Sequence, residues 1–150
     1  MTERANGNGR IRWGGGEAPA PGPRVVPGVG HPRNVEAVTF LLDGREITAQ
    51  PGETILQAAE RHGVSIPHLC YMDGMRADGN CRACMVEIEG ERVLAPSCCR
   101  TPANGMKVAA RSARAVASQR MVVELLLSDV PETPHRAGSE LRIQADVLNV

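Results

Sequence analysis

Five cysteines are the residues of this chain best equipped for chemistry: Cys70, Cys81, Cys84 and Cys98 follow the spacing Cys-x10-Cys-x2-Cys-x13-Cys, and Cys99 comes directly after. Such a set can form disulfides, act as a redox dithiol, bind zinc or hold an iron-sulfur cluster. The first thirty residues contain no apolar stretch that could serve as a signal-peptide core. The longest apolar run falls well short of the roughly 20 residues that span a bilayer. A cytoplasmic location is therefore expected, and there a reducing thiol pool disfavours structural disulfides. A catalytic Cys-x-x-Cys opens a helix after a strand, whereas Cys84 leads into "MVEIE", which reads as a strand. Zinc sites commonly pair two tight Cys-x2-4-Cys knuckles, and here there is one.

A [2Fe-2S] cluster makes a different demand. Its ligands are spread over two irons, and its bridging sulfides need close backbone N–H donors, which a long loop containing Gly74 and Gly79 can turn inward. The plant-type pattern, Cys-x4-Cys-x2-Cys with a distant fourth cysteine, has this layout with a shorter first gap. Spacing favours the cluster and leaves zinc open.

The elements that must position these thiols can be read around them. "VTFLL", Asp43-Gly44 and "REITAQ" form a β-hairpin signal. "ETILQAAERHGV" reads as a short amphipathic helix, with Thr54 and Gln57 spaced as a capping box and Gly63 as its stop. Residues from Ser65 to Cys84 show no usable period, and so long an irregular loop in a compact domain signals function. "CMVEIEG" and "ERVLAPS" flank Gly90 as a second hairpin, and "GMKVAA" is a last short strand. "SARAVASQRMVVELLLSD" is a second helix capped by Ser112, with an apolar stripe at Val116, Val122, Val123, Leu126 and Val130. "SELRIQADVL" is at best a short, weakly packed helix. No internal repeat is present. These elements predict an α+β domain at residues 37–110, preceded by a flexible Gly/Pro/Arg-rich arm over 1–36 and followed by a helical extension over 111–150.

Composition removes other classes. The 17 basic and 17 acidic side chains cancel, and Lys107 is the one lysine among the cations, so no global field favours nucleic acid or an anionic membrane. Trp13, Phe40 and Tyr71 are the only aromatic residues, too few for a base-stacking platform. Trp13 is either a stray exposed residue or an anchor docking the arm on a partner. Lys107, Arg111, Arg114 and Arg120 form either a solvated face or a contact for an acidic partner.

The string "IPHLCYMDGMRADGNCRACMVEIEGERVLAPSCCRTPANGMKV" resembles the N-terminal [2Fe-2S] ferredoxin domain of NAD-dependent molybdenum or tungsten formate dehydrogenases. It is similar also to the related domains of the complex I large iron-sulfur subunit and the diaphorase subunit of NAD-reducing hydrogenases. Ile66-Pro67, Gly79-x-Cys81-Arg82-x-Cys84, Val86-Glu87, Ser97-Cys98 and Gly105-Met106 carry the resemblance, which covers about residues 36 to 130. It implies a β-grasp ferredoxin fold, one [2Fe-2S] cluster on Cys70, Cys81, Cys84 and Cys98, and a potential broadly like plant-type centres at about −400 mV. By the same resemblance the fourth ligand precedes Gly105-Met106 by the distance that selects Cys98. Adjacent residues on an extended segment also point to opposite sides, so Cys99 is expected to be a buried non-ligand. Arg82 is read either as a surface residue or as a cation that raises the potential and positions an acidic partner. Ile66, Leu69, Tyr71 and Met72 are expected to shield the cluster. A Rieske arrangement using His62 and His68 is not expected, because four cysteines already complete the coordination.

The resemblance fails after the second helix. The family often continues with a His followed by three cysteines that hold a [4Fe-4S] cluster; here His135 is followed by none. The chain also carries no molybdenum ligand, nicotinamide fingerprint or flavin motif. The expectation is a one-electron carrier without a catalytic centre of its own, serving as a small subunit or N-terminal domain beside a molybdenum or tungsten catalytic subunit and NAD- or flavin-binding subunits, with no membrane span. A free-standing ferredoxin feeding another reductase or oxygenase, and a zinc-stabilised structural adaptor, are the rival readings.

Overall fold

The computed structural model describes residues 36–131 and 138–150. The expected arm, Trp13 and His135 lie outside the described residues.

Strand β1 (Val38–Leu42) turns through Asp43 (φ 50°) and Gly44 (φ 80°) into antiparallel β2 (Arg45–Ala49). Positive φ at both turn residues is what a two-residue hairpin loop needs to match the twist of its strands. Helix α1 (Ile55–Arg61) follows, opened by the capping box of Thr54 and Gln57. It is closed by Gly63, whose positive φ allows Val64 N–H to reach Ala59 O and Gly63 N–H to reach Glu60 O, a Schellman cap. Beyond the irregular loop come β3 (Met85–Ile88), β4 (Ala95–Pro96), β5 (Lys107–Ala109), α2 (Ala113–Ser128) and α3 (Glu140–Leu148). The sheet order is β2-β1-β5-β3-β4, with β1 and β5 parallel at its centre and the other neighbours antiparallel.

Alternation places Phe40, Leu42, Ile47, Ala49, Val86, Ile88 and Val108 in one core with Ile55, Leu56, Ala58 and Ala59 of α1. One sheet face against one crossing helix is a two-layer α+β, β-grasp ferredoxin-like arrangement. The return strand of the second hairpin is shorter than expected: only Ala95 and Pro96 pair with β3. Pro96 has no N–H to extend a ladder, and the chain turns at once, with Cys99 N and Arg100 N both donating to Pro96 O at 3.1 and 3.0 Å.

The second helix departs from its expected stripe. Its buried residues are Ala115, Gln119 and Val123, whereas Leu126 and Val130 are exposed. Gln119 is 2% exposed, and its Nε2 donates to Met85 O at 2.8 Å and to Ala110 O at 3.1 Å. The ladder explains the need. Asp43 Oδ1 accepts from Ala110 N and Arg111 N at 2.8 and 3.1 Å, which ends β5 and leaves Met85 O facing no strand. A buried carbonyl must find a donor, and Gln119 supplies it. Helix α3 packs on α2 through Val123, Ala145 and Leu148, and Arg120 donates to Asn149 O at 2.8 Å. This docking is firmer than the sequence promised.

Candidate functional site

The ligands expected from sequence occupy two structural settings. Cys84 ends the loop where β3 begins, and Cys98 lies in the turn just after β4; both are 1% exposed. Cys70 and Cys81 lie on the irregular loop, the first exposed and the second half-buried. The turn carrying Cys98 is tied to helix α1 from behind: Leu56 N donates to Ser97 O at 3.0 Å and Ile55 N to Arg100 O at 2.8 Å. These are N–H groups of the first helical turn, which have no partner inside the helix. The helix start thereby fixes the fourth cysteine.

The four thiols interact as two pairs. Hydrogen bonding from Cys98, its thiol first and then its backbone N–H, outweighs burial and brings the Cys84 pKa down to about 6. Cys98 is pushed up correspondingly, first by that same bond and then by burial. In the outer pair, burial raises Cys70. Burial also opposes ionisation of Cys81, but donors including the Ala83 N–H and the Cys70 thiol outweigh it and lower its pKa. Arg82 has φ 61°, a backbone state costing a non-glycine residue about 1–2 kcal/mol; this reversal closes the knuckle in which Ala83 N–H meets Cys81. In each pair one thiol is lowered and the other raised, and a metal takes thiols as thiolates.

Among the described residues, no three His, Cys, Asp or Glu side chains converge where they would hold one ion together. Two separate thiol pairs match a two-iron group better than a single tetrahedral ion. His68 Nδ1 lies 2.9 Å from Ile66 O and its Nε2 3.5 Å from Glu60, while His62 Nε2 lies 3.1 Å from Thr48 O. Both imidazoles are engaged away from the thiols.

Several expectations need correction. Cys98 and Cys99 are in a turn, not an extended segment, so their sulfurs do not diverge: they lie 3.6 Å apart. Cys99 is half-buried, its Sγ 3.7 Å from Ala77 O. It braces the loop, and a Cβ at Gly79 (φ +65°) would come within 3.0 Å of it. Gly79 therefore fits the role of a close-approach glycine, whereas Gly74 is exposed and its N–H bonds to Asp73 Oδ1 at 3.0 Å. Ile66 is buried and Leu69 and Tyr71 are half-buried, but Met72 is 66% exposed and does not shield the thiols. Of the basic residues near α2, Lys107 pairs with Glu89 at 2.8 Å, Arg114 lies 3.6 Å from Glu87, and Arg120 caps α3, which favours the solvated-face reading.

Sequence reasoning gave Ser97 and Gln119 no role of their own. The register of β3 with β4 signals Ser97: Met85 opposes Pro96, so Cys84 opposes Ser97.

A two-layer ferredoxin-like sheet that gathers four thiols in two pairs around a glycine-bearing loop defines an iron-sulfur protein. Residues 35–113 match the family described as a 2Fe-2S iron-sulfur cluster binding domain; the chain belongs to that family, and its cofactor is one [2Fe-2S] cluster. It is 41% identical over 100 residues to NADP-reducing hydrogenase subunit HndD of Solidesulfovibrio fructosivorans, a match spanning 63% of this chain and 17% of that protein. It is 38% identical over 99 residues to the mitochondrial NADH-ubiquinone oxidoreductase 78 kDa subunit of Candida albicans, spanning 66% and 14% of the two chains. A crystal structure of NAD+-reducing [NiFe]-hydrogenase in the H2-reduced state superposes with a TM-score of 0.66 at 32% identity, covering 75% of this chain and 49% of that one. The chain thus spans a minor part of the length of these relatives. No helix among the described residues is long and apolar enough to cross a membrane.

Proposed function

We propose that Cys70, Cys81, Cys84 and Cys98 would hold the [2Fe-2S] cluster, and that the chain passes single electrons within an NAD(P)-linked oxidoreductase. The observation that carries this reading is the placement of the four thiols in two settings, Cys84 and Cys98 buried against the sheet, Cys70 exposed and Cys81 half-buried on the loop. When bound, the cluster supplies a one-electron couple with no proton or hydride of its own. The chain's residues then divide the remaining work. Ile66, Leu69 and Tyr71 limit water around the loop, the sheet fixes the inner pair, and the exposed outer pair brings the redox group near the surface where a partner's centre can approach. Arg82, exposed beside that pair, places a cation at the same face. We assign residues 37–110 to the cluster-binding unit, with α2 and α3 as a helical extension that Gln119 ties to it.

Within that class we favour a formate dehydrogenase type of assembly with a molybdenum or tungsten subunit, because of the motif set from Ile66-Pro67 to Gly105-Met106. Hydrogenase and NADH-quinone oxidoreductase relatives support the coarser NAD(P)-linked reading. Anaerobic purification with iron and sulfide assay tests the cluster ligands: Cys98→Ser should lose normal assembly and Cys99→Ser should keep a spectrum close to wild type. The reverse pattern would overturn the ligand set. Co-purification with a molybdenum or tungsten protein tests the assembly; recovery with a hydrogenase or quinone reductase instead would overturn it.

A further inference from the structure

Ser97 is fully buried at 0% exposure, and its Oγ has no hydrogen-bond partner among the described residues. A buried hydroxyl is costly to leave without an acceptor, and an orphan of this kind calls for an explanation. Its backbone is not free to relieve the problem. Ser97 N donates to Cys84 O at 3.0 Å, and Ser97 O accepts from Leu56 N at 3.0 Å, so the residue is held between β3 and the start of α1. Directly opposed residues of an antiparallel ladder project their side chains on the same face, with Cβ atoms about 4.5–5.5 Å apart. Continuing the observed register one step from Met85–Pro96 puts Ser97 opposite Cys84, and Cys84 is itself 1% exposed. The two residues are therefore both buried and joined at 3.0 Å through Ser97 N and Cys84 O, which sets the hydroxyl beside the Cys84 side chain.

We infer that Ser97 is a positioning residue for the redox centre: its hydroxyl donates to the Cys84 thiolate when the cluster is bound and raises the reduction potential. This rests on the assignment of Cys84 as a ligand made above. The physical basis is charge. Adding one electron increases the negative charge on the ligand sulfurs, and a donor aimed at one of them stabilises the reduced state more than the oxidised state. Ser97 neither accepts the electron nor releases its proton; the bond is present in both states and is stronger in one. Because the site is buried, water cannot replace the lost donor, so its removal is felt in full.

The test uses the full chain with its cluster, in wild-type form and as Ser97→Ala, Ser97→Thr and Ser97→Val, with iron and sulfide content measured for each and the potential followed by EPR-monitored redox titration. Ser97→Ala should load iron fully and show about a tenfold lower reduced-to-oxidised ratio at fixed potential, equivalent to about 59 mV for a one-electron couple. Thr and Val nearly match in size and differ by the hydroxyl, so the Thr form should titrate near wild type and the Val form near the Ala form. Equal potentials for Thr and Val, or for Ala and wild type, would overturn the inference. Loss of iron from both apolar variants while Ser97→Thr loads normally would also overturn it, by assigning the hydroxyl to assembly. A Cys84→Ser protein that keeps a wild-type cluster would instead remove the ligand assignment beneath it, a failure seen in a different protein and a different measurement.

Discussion

Replacing Gln119 with leucine isolates one contact that ties the helical extension to the cluster-bearing sheet. The side chain keeps nearly its volume, so the cavity penalty of truncation is small. What disappears is the Nε2 donor to Met85 O at 2.8 Å and Ala110 O at 3.1 Å. Each bond contributes about 1 kcal/mol net, and stranding a buried carbonyl costs about 1–3 kcal/mol. Met85 O has no alternative strand partner, because β5 ends where Asp43 captures the next two N–H groups. The expected loss is therefore about 2–4 kcal/mol, a sizeable share of the roughly 5–15 kcal/mol that holds a small domain together. Guanidinium unfolding followed by far-ultraviolet circular dichroism should show a lower midpoint with an unchanged slope. Met85 directly follows Cys84, so iron should also leave the variant faster in denaturant. A stability change under about 0.5 kcal/mol, within the range of a neutral surface substitution, would refute the reasoning and show that the leucine methyls compensate or that water reaches Met85 O.

Two further outcomes follow from the same geometry. Gly79→Ala should destabilise by about 1–2 kcal/mol through its positive φ alone, and by more because its Cβ would lie 3.0 Å from Cys99 Sγ; adding Cys99→Ala should return the steric part only, and simple additivity in this cycle would refute the contact. In the metal-free protein the Cys84 pKa is lowered from 9.0 to about 6, so its contribution to stability is complete above pH 9 and is lost as pH falls towards 6, whereas Cys98, raised, contributes below pH 9 and loses its contribution above it. Unfolding midpoints of wild type should therefore rise relative to Cys84→Ser between about pH 6 and 9, and parallel pH profiles for the two proteins would refute the shared proton.

The hairpins, the capped helix and the thiol spacing were legible because each depends on a local rule: Asp43-Gly44 can supply two positive φ values, Thr54 and Gln57 cap reciprocally, and Gly63 closes the helix. Gln119 was not legible for the opposite reason. A glutamine within an apolar repeat reads as a surface residue, and its burial depends on where β5 stops, which depends on an aspartate 76 positions earlier in the chain. The Cys98–Cys99 geometry failed in the same way. Alternation held only as long as the segment stayed extended, and the turn that closes on Pro96 O carries both thiols. Met72 was misplaced because its apolarity was read as burial, although the loop around it has no regular period from which a face could be assigned.

The hydrogen bonds that escaped the sequence also explain why the two thiol pairs differ in character. Cys84 and Cys98 are fixed through Ser97 N to Cys84 O, Leu56 N to Ser97 O and Gln119 to Met85 O, so the sheet, α1 and α2 all bear on the buried pair. Cys70 and Cys81 belong to a loop steadied by Met75 N to Met72 O and Cys99 Sγ to Ala77 O, contacts made over short spans or by one thiol. Stability and geometry at the inner pair are therefore coupled: a substitution in α1, α2 or β3 reaches Cys84 through one or two hydrogen bonds. The outer pair has fewer ties to the core, so exposed residues of its loop such as Met72 and Met75 can vary to suit a partner with little effect on the fold. A one-electron carrier needs both properties, a centre whose energy is set by a rigid interior and a face whose chemistry is free to match whatever docks there.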